Sequence, residues 1–203
     1  GQTVSVSNGE TVVLMNKVAY LYDPVGNTAW TEVNDNPATA VTARFDRRGN
    51  KVWMDDPDMG VWEYTYDVFD QLRYQRSATG EQTIIQYDNL GRMTRRWTGV
   101  VPDHSQTTDF DSVTLQAGDY ENLGEWYYDR ADGSWGDATW GSMTPGVDNF
   151  EEVGAPRMER MLDGNGNEVA RTSSYYDDYG RNFLVLEKVR VESQPASRYK
   201  YFY

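Results

Sequence analysis

The chain has 203 residues, with 32 Asp and Glu against 19 Lys and Arg, for a net charge of −13. So acidic a balance argues against nucleic acid and anionic membranes as partners, because phosphate binding needs clustered Lys and Arg. Cysteine is absent, which excludes disulfide staples and Cys-based zinc sites, and no apolar run approaches the length that spans a bilayer.

Aromatic residues make up 14%, with Tyr 15 and Trp 7, a content that suits pleated, half-buried surfaces. At the start, Val4 and Val6 precede Ser7-Asn8-Gly9-Glu10, and Val12 and Leu14 follow it. This is a hairpin signal of the Asn-Gly type. One phrase then recurs, an aromatic followed by Asp: Tyr22-Asp23-Pro24-Val25-Gly26-Asn27, Phe45-Asp46-Arg47-Arg48-Gly49-Asn50, Tyr66-Asp67-Val68-Phe69-Asp70-Gln71 and Tyr87-Asp88-Asn89-Leu90-Gly91-Arg92. The Asp positions 23, 46, 67 and 88 differ by 23, 21 and 21, a spacing that marks a repeat architecture. Around the third copy, Trp62, Tyr64 and Tyr66 lead in and Leu72 and Tyr74 lead out at every second position, so each phrase reads as a tip between two strands. The Asp side chain can accept backbone N–H bonds ahead of it, Gly26, Gly49 and Gly91 supply positions that tolerate φ > 0, and Arg92 follows within reach of Asp88. The third copy has Asp70 where the others have Gly, and its turn is expected to differ. Weaker turns lie between copies at Asp35-Asn36-Pro37, Asp56-Pro57-Asp58-Met59-Gly60 and Ala78-Thr79-Gly80.

Residues 99–157 break the rhythm. Pro102 to Ser112 reads as a polar loop, Val113 to Trp126 fits either one short helix or another hairpin, and 129–157 is rich in Gly, Trp and Asp. Residues 158–203 restore the pattern, with Asp163-Gly164-Asn165-Gly166-Asn167 as a turn and Tyr176-Asp177-Asp178-Tyr179-Gly180-Arg181 as a further copy. The chain begins at Gly1 and stops just after a strand-like run, Arg198 to Tyr203, which suggests an excerpt of a longer protein.

Aromatic-Asp-x-x-Gly-Arg/Asn in tandem, with Asp-Pro-x-Gly-like turns between copies, resembles the YD repeat of the RHS family. That family includes bacterial Rhs and wall-associated proteins, the B and C subunits of insecticidal toxin complexes, and teneurins. The match covers 15–98 and again 158–190. Trp126-Tyr127-Tyr128-Asp129 and the Phe110-Asp111 pair read as degenerate copies, while the middle region as a whole fits poorly. The resemblance implies an all-β fold of tandem antiparallel hairpins, forming a curved ribbon or arc of an RHS-type shell, in a secreted or cell-surface, bacterial protein. It implies a scaffold that encloses a toxin or C-terminal cargo and carries no catalysis. Its partners would be neighbouring repeats of the parent or other copies of itself.

Other readings of the same residues are weaker. Asp163-x-Asn165-x-Asn167 imitates the start of an EF-hand loop, but Glu168 and Ser174 stand where Gly and Glu are required, so neither a metal nor a cofactor is expected. His104, the one histidine, lies in a polar loop with nothing to position it as a base, and exposure is expected. Most of the carboxylates read as turn residues, so a hydrolytic pair is the least favoured reading. The alternative to a scaffold is a carbohydrate- or receptor-binding module in which Trp126, Trp135 and Trp140 stack on sugar rings. The competing role for those tryptophans is to cap an end of the sheet.

Overall fold

In a computed structural model of the chain, the described residues are 2–5, 11–14, 16–99, 102–128, 156–176, 182–191 and 194–201. All regular structure among them is β-strand, and the chain divides into two compact units, Gly1–Thr83 and Ile84–Tyr203.

In the first unit, β1 (Gln2–Ser5) and β2 (Thr11–Leu14) pair antiparallel as a sheet of their own. Then β3 (Val18–Tyr22), β4 (Thr28–Val33), β5 (Asn36–Phe45), β6 (Lys51–Asp56), β7 (Gly60–Tyr66) and β8 (Leu72–Arg76) lie side by side in chain order, each antiparallel to the last. The alternating sequence explains the pleat. Met54 faces Trp62 across β6 and β7, and Trp62 stacks on Tyr64 along β7 at 6.4 Å. On the other face, Arg44 lies over its cross-strand partner Trp53 at 4.5 Å. Among the described residues of this unit, Ala43, Met54 and Tyr74 are the buried apolar ones, and the Tyr74 hydroxyl donates to Gln82 Oε1 at 2.9 Å.

The unit boundary falls inside β9 (Gln82–Tyr87), within the 1–98 block of repeats. In the second unit, β9 is followed in the strand order by β10 (Met93–Gly99), β11 (Asn122–Tyr128), β12 (Pro156–Asp163), β13 (Glu168–Tyr176), β14 (Asn182–Val191) and β15 (Gln194–Tyr201). A strand, β11, therefore sits inside the 99–157 stretch, pairing with β10 on one side and β12 on the other. Residues 102–112 form a loop without regular structure, mostly exposed, as their polar composition implies, with Phe110 buried in it. Phe110, Val113 and Tyr120 are buried together with the unit's strand residues Ile84, Trp97 and Leu123. Gln86 contributes to that burial, because its amide donates to the carbonyls of Phe110 (2.8 Å), Asp111 (3.2 Å) and Val113 (2.8 Å).

The turn between β4 and β5 is also displaced from its expected place. It is Asn34-Asp35, both at positive φ (57° and 53°), while Asn36 and Pro37 already belong to β5. Two consecutive left-handed residues make a hairpin return of the type that Asn and Asp tolerate best. Between β6 and β7, Gly60 has φ +70°, and a Cβ there would lie 2.5 Å from Ala78 Cβ. Gly60→Val should therefore lower stability by about 2 kcal/mol, through backbone strain and a clash that neither backbone can relieve. Gly80→Ala, at φ +85° with open space around it, should cost only about 1 kcal/mol. Urea unfolding of the two variants measures the difference, and equal losses would remove the contact between neighbouring turns as its source.

Candidate functional site

The most regular chemistry lies at the hairpin tips. At Asp23 the backbone N–H bonds Asn27 O at 2.8 Å, the Gly26 N–H bonds Asp23 O at 3.1 Å, and the carboxylate accepts from the N–H groups of Val25 and Asn27. The same four bonds recur at Asp46 with Arg48, Gly49 and Asn50, at Asp88 with Leu90, Gly91 and Arg92, and at Asp163 with Asn165, Gly166 and Asn167. Each is a tight turn closed by a left-handed residue. At Tyr22, Phe45, Tyr66 and Tyr176 the strand register shifts by one residue, the signature of a bulge next to such a turn. Leu162, before Asp163, marks the same shift without an aromatic ring.

The Asp67 copy does not differ as expected. Asp67 accepts from Phe69 and Gln71, its N–H bonds Gln71 O, and Asp70 takes the left-handed position at φ 62°. Asp is among the few residue types that visit this region. Here the carboxylate also has a task that Gly could not perform: Oδ1 accepts from Asn50 Nδ2 at 2.7 Å and pairs with Arg48 at 3.1 Å. Arg48 also donates to the Asp67 carbonyl at 2.7 Å. Two successive tips are thereby linked.

These bonds tune the acids. Asp23 is held below the usual carboxylate range, chiefly by the Asn27 side-chain amide, and Asp46 chiefly by the Asn50 backbone N–H. For Asp88 burial alone would raise the pKa, but the Arg92 backbone N–H and guanidinium outweigh it and the net shift is downward. A folded pKa below the unfolded one gives stability that is present above the ordinary value of about 3.9 and lost as pH falls through and below it. Melting temperature should hold level down to about pH 5 and then drop steadily. Asp46→Asn and Asp88→Asn should flatten that drop, and an unchanged acid limb in the double variant would refute the assignment.

The second cluster is on β10–β12, where Arg95, Glu125 and Arg160 align in register across three strands. Glu125 is 5% exposed. Its Oε1 accepts from Arg95 Nε at 3.2 Å, while Oε2 accepts from Arg160 and from the Tyr127 hydroxyl at 3.0 Å. Burial, reinforced by the Glu125 charge, raises the Tyr127 pKa. Both carboxylate oxygens are engaged, so the arrangement clamps strands and presents no free oxygen to a substrate. Nothing in the sequence pattern singled out Glu125. Only the strand register brings its two arginines to it.

Trp126 lies on the opposite face of β11, half-buried, with its ring over Gly124, where a Cβ would come within 2.5 Å of the indole. Arg96 stands 6.0 Å from that ring. Trp135, Trp140, Asp177, Gly180 and Arg181 lie outside the described residues, and Tyr176 ends β13. His104 is half-buried rather than exposed, with Nδ1 3.1 Å from Thr107 Oγ1.

No family model and no curated protein matches the sequence. Among solved structures, the chain is similar to the crystal structure of TcdB2-TccC3, with a TM-score of 0.51 and 13% identity over 92% of this chain and 10% of that one. The structure of TcdB2-TccC3-Cdc42 gives a TM-score of 0.41 at 13% identity, over 98% of this chain and 12% of that one. The Tc holotoxin pore of Photorhabdus luminescens gives 0.38 at 14%, over 92% and 11%. The likeness to TcdB2-TccC3 is one of fold, and this chain spans about a tenth of that chain's length.

Proposed function

We propose that the chain is a non-catalytic scaffold segment of a secreted or cell-surface RHS/YD-repeat protein. In this reading it forms one curved stretch of a β-shell that encloses a toxin or C-terminal cargo. The observation that carries the reading is the recurrence of one turn, bond for bond, at Asp23, Asp46, Asp67, Asp88 and Asp163. The tips at 48–50 and 67–70 are further joined to each other. At each of these tips the Asp carboxylate is committed to the chain's own backbone. Each hairpin leans on the next, the nearest-neighbour logic of repeat proteins. The shared fold with TcdB2-TccC3, a complex of toxin chains, supports protein chains as partners, whether neighbouring repeats or further copies.

A glycan array and a panel of glycosidase and esterase substrates test this, with Trp126→Ala, Trp135→Ala and Trp140→Ala as controls. The expected result is neither binding nor turnover. Specific binding that these substitutions abolish would replace the scaffold with a carbohydrate-binding module, and turnover would replace it with an enzyme.

A further inference from the structure

We propose that β3 is a self-pairing edge, through which two copies of the chain join antiparallel about a two-fold axis at Tyr20. The inference rests on the scaffold reading and gives that scaffold a specific joint. Strand β3 stands at the end of the strand order, with β4 on one side and no strand on the other among the described residues. It is bare on both faces: Tyr20 is 52% exposed, Leu21 61% and Tyr22 62%, with Val18 also exposed. Edge strands are ordinarily guarded against pairing by a charge, a proline or a bulge on the edge itself. Val-Ala-Tyr-Leu-Tyr contains no charge or proline, and the register shift at Tyr22 places its extra residue, Ala29, on β4, so the edge strand itself carries no such guard.

The register follows from the sequence. In an antiparallel pair centred on Tyr20, facing residue numbers sum to 40. Tyr20 then faces the partner's Tyr20, Val18 the partner's Tyr22 and Ala19 the partner's Leu21. Every facing pair is apolar or aromatic, the combinations that stabilise neighbouring strands. The next residues out, Lys17 and Asp23, meet their opposites at both rims. Lys17 also serves Asp35 and Asp23 also serves its own turn, so these rim charges set register more than strength. Moving the axis to Ala19 or Leu21 keeps the alternation but sets Leu21 against the partner's Lys17, or Ala19 against the partner's Asp23. Only the Tyr20 axis pairs all five strand residues with one another and matches the charges. The Tyr20–Tyr22 stack, with centroids 6.5 Å apart, would continue across the joint as a row of four rings.

Because the chain has no cysteine, a single introduced thiol reports the register. Facing Cα atoms of antiparallel strands lie about 4.5–5.5 Å apart, within the span of a disulfide. Oxidation of Tyr20→Cys should therefore yield a covalent dimer about tenfold faster than oxidation of Val18→Cys, whose two thiols would lie roughly 13 Å apart along the strands. A mixture of Val18→Cys and Tyr22→Cys chains should cross-link to each other. Sedimentation of the unmodified chain should show a concentration-dependent dimer that Tyr20→Lys weakens at least about tenfold by placing like charges face to face. A monomer at every concentration, or equal cross-linking at positions 18 and 20, overturns the proposal. If that monomer keeps its β circular dichroism and shows neither glycan binding nor turnover, the scaffold reading stands without this joint. Trp-dependent glycan binding by a dimer cross-linked at Tyr20 would instead end the scaffold reading and keep the joint.

Discussion

Trp97→Ala should destabilise the chain by about 4 kcal/mol, the range expected when a fully enclosed indole is deleted. Trp97 is 2% exposed on β10, opposite Leu123 of β11, in the same buried set as Phe110, Val113 and Tyr120. Strand β10 is tied to the 102–121 segment by the Glu121 N–H bond to Thr98 O at 2.9 Å, so the loss should be read at two levels. Urea unfolding would report the global cost, and limited proteolysis would report release of the segment, with new cuts near Ser105–Asp111. Trp97→Phe makes the sharper comparison. The indole Nε1 is buried and has no hydrogen-bond acceptor among the described residues, so removing the donor returns part of a desolvation cost. Phe should cost less than half as much as Ala. A loss for Phe equal to that for Ala would mean that the ring's exact size, and not its apolar bulk, holds the segment down.

Glu125→Leu should cost about 3 kcal/mol, because it leaves Arg160 beside a buried site without its counter-charge. Burial by itself would lower the Arg160 pKa, and the Glu125 hydrogen bond and charge reverse this and raise it. Arg95, with its side chain 46% exposed, can turn to water when Glu125 is lost. Arg160, at 31%, is less free to do so. Adding Arg160→Leu to Glu125→Leu should therefore recover most of the loss, since a matched apolar pair across strands costs little where a charge pair once stood. The denaturation midpoint, at unchanged slope, decides the matter. A double variant no better than the single one would show that the pair's geometry, not its uncompensated charge, sets the cost.

The all-β, antiparallel architecture is legible in the sequence because its determinants are local. Alternation such as Trp62, Tyr64, Tyr66 fixes a face within a few residues, and an Asp that can accept from the N–H groups two and four residues on fixes where the strand ends. What is not legible depends on the neighbour. Asp70 looks like a broken motif until Arg48 and Asn50 of the previous tip are seen to bind it. Asn34-Asp35 and Asn36-Pro37 are equally turn-like in composition, and pairing of Val33 with Asn36 selects the first. Residues 102–112 read as a polar loop and Val113 to Trp126 as a short helix or a hairpin, because the few apolar residues there have no period that separates the two. Their burial follows from the Gln86 amide gathering three carbonyls. Glu125 resembles any other acid in an acidic chain until the register sets an arginine on either side.

The bond from Asn50 to Asp70, with Arg48 reaching the Asp67 carbonyl, has an evolutionary corollary. A glycine at position 70 would match the glycines of the other tips while cutting the tie to the hairpin before it. Each of these two tips is therefore spelled partly for the benefit of the other, and drift at one should be tolerated only alongside a matching change at its neighbour. Consensus repair of this repeat, ordinarily a safe way to strengthen a tandem array, would here loosen it.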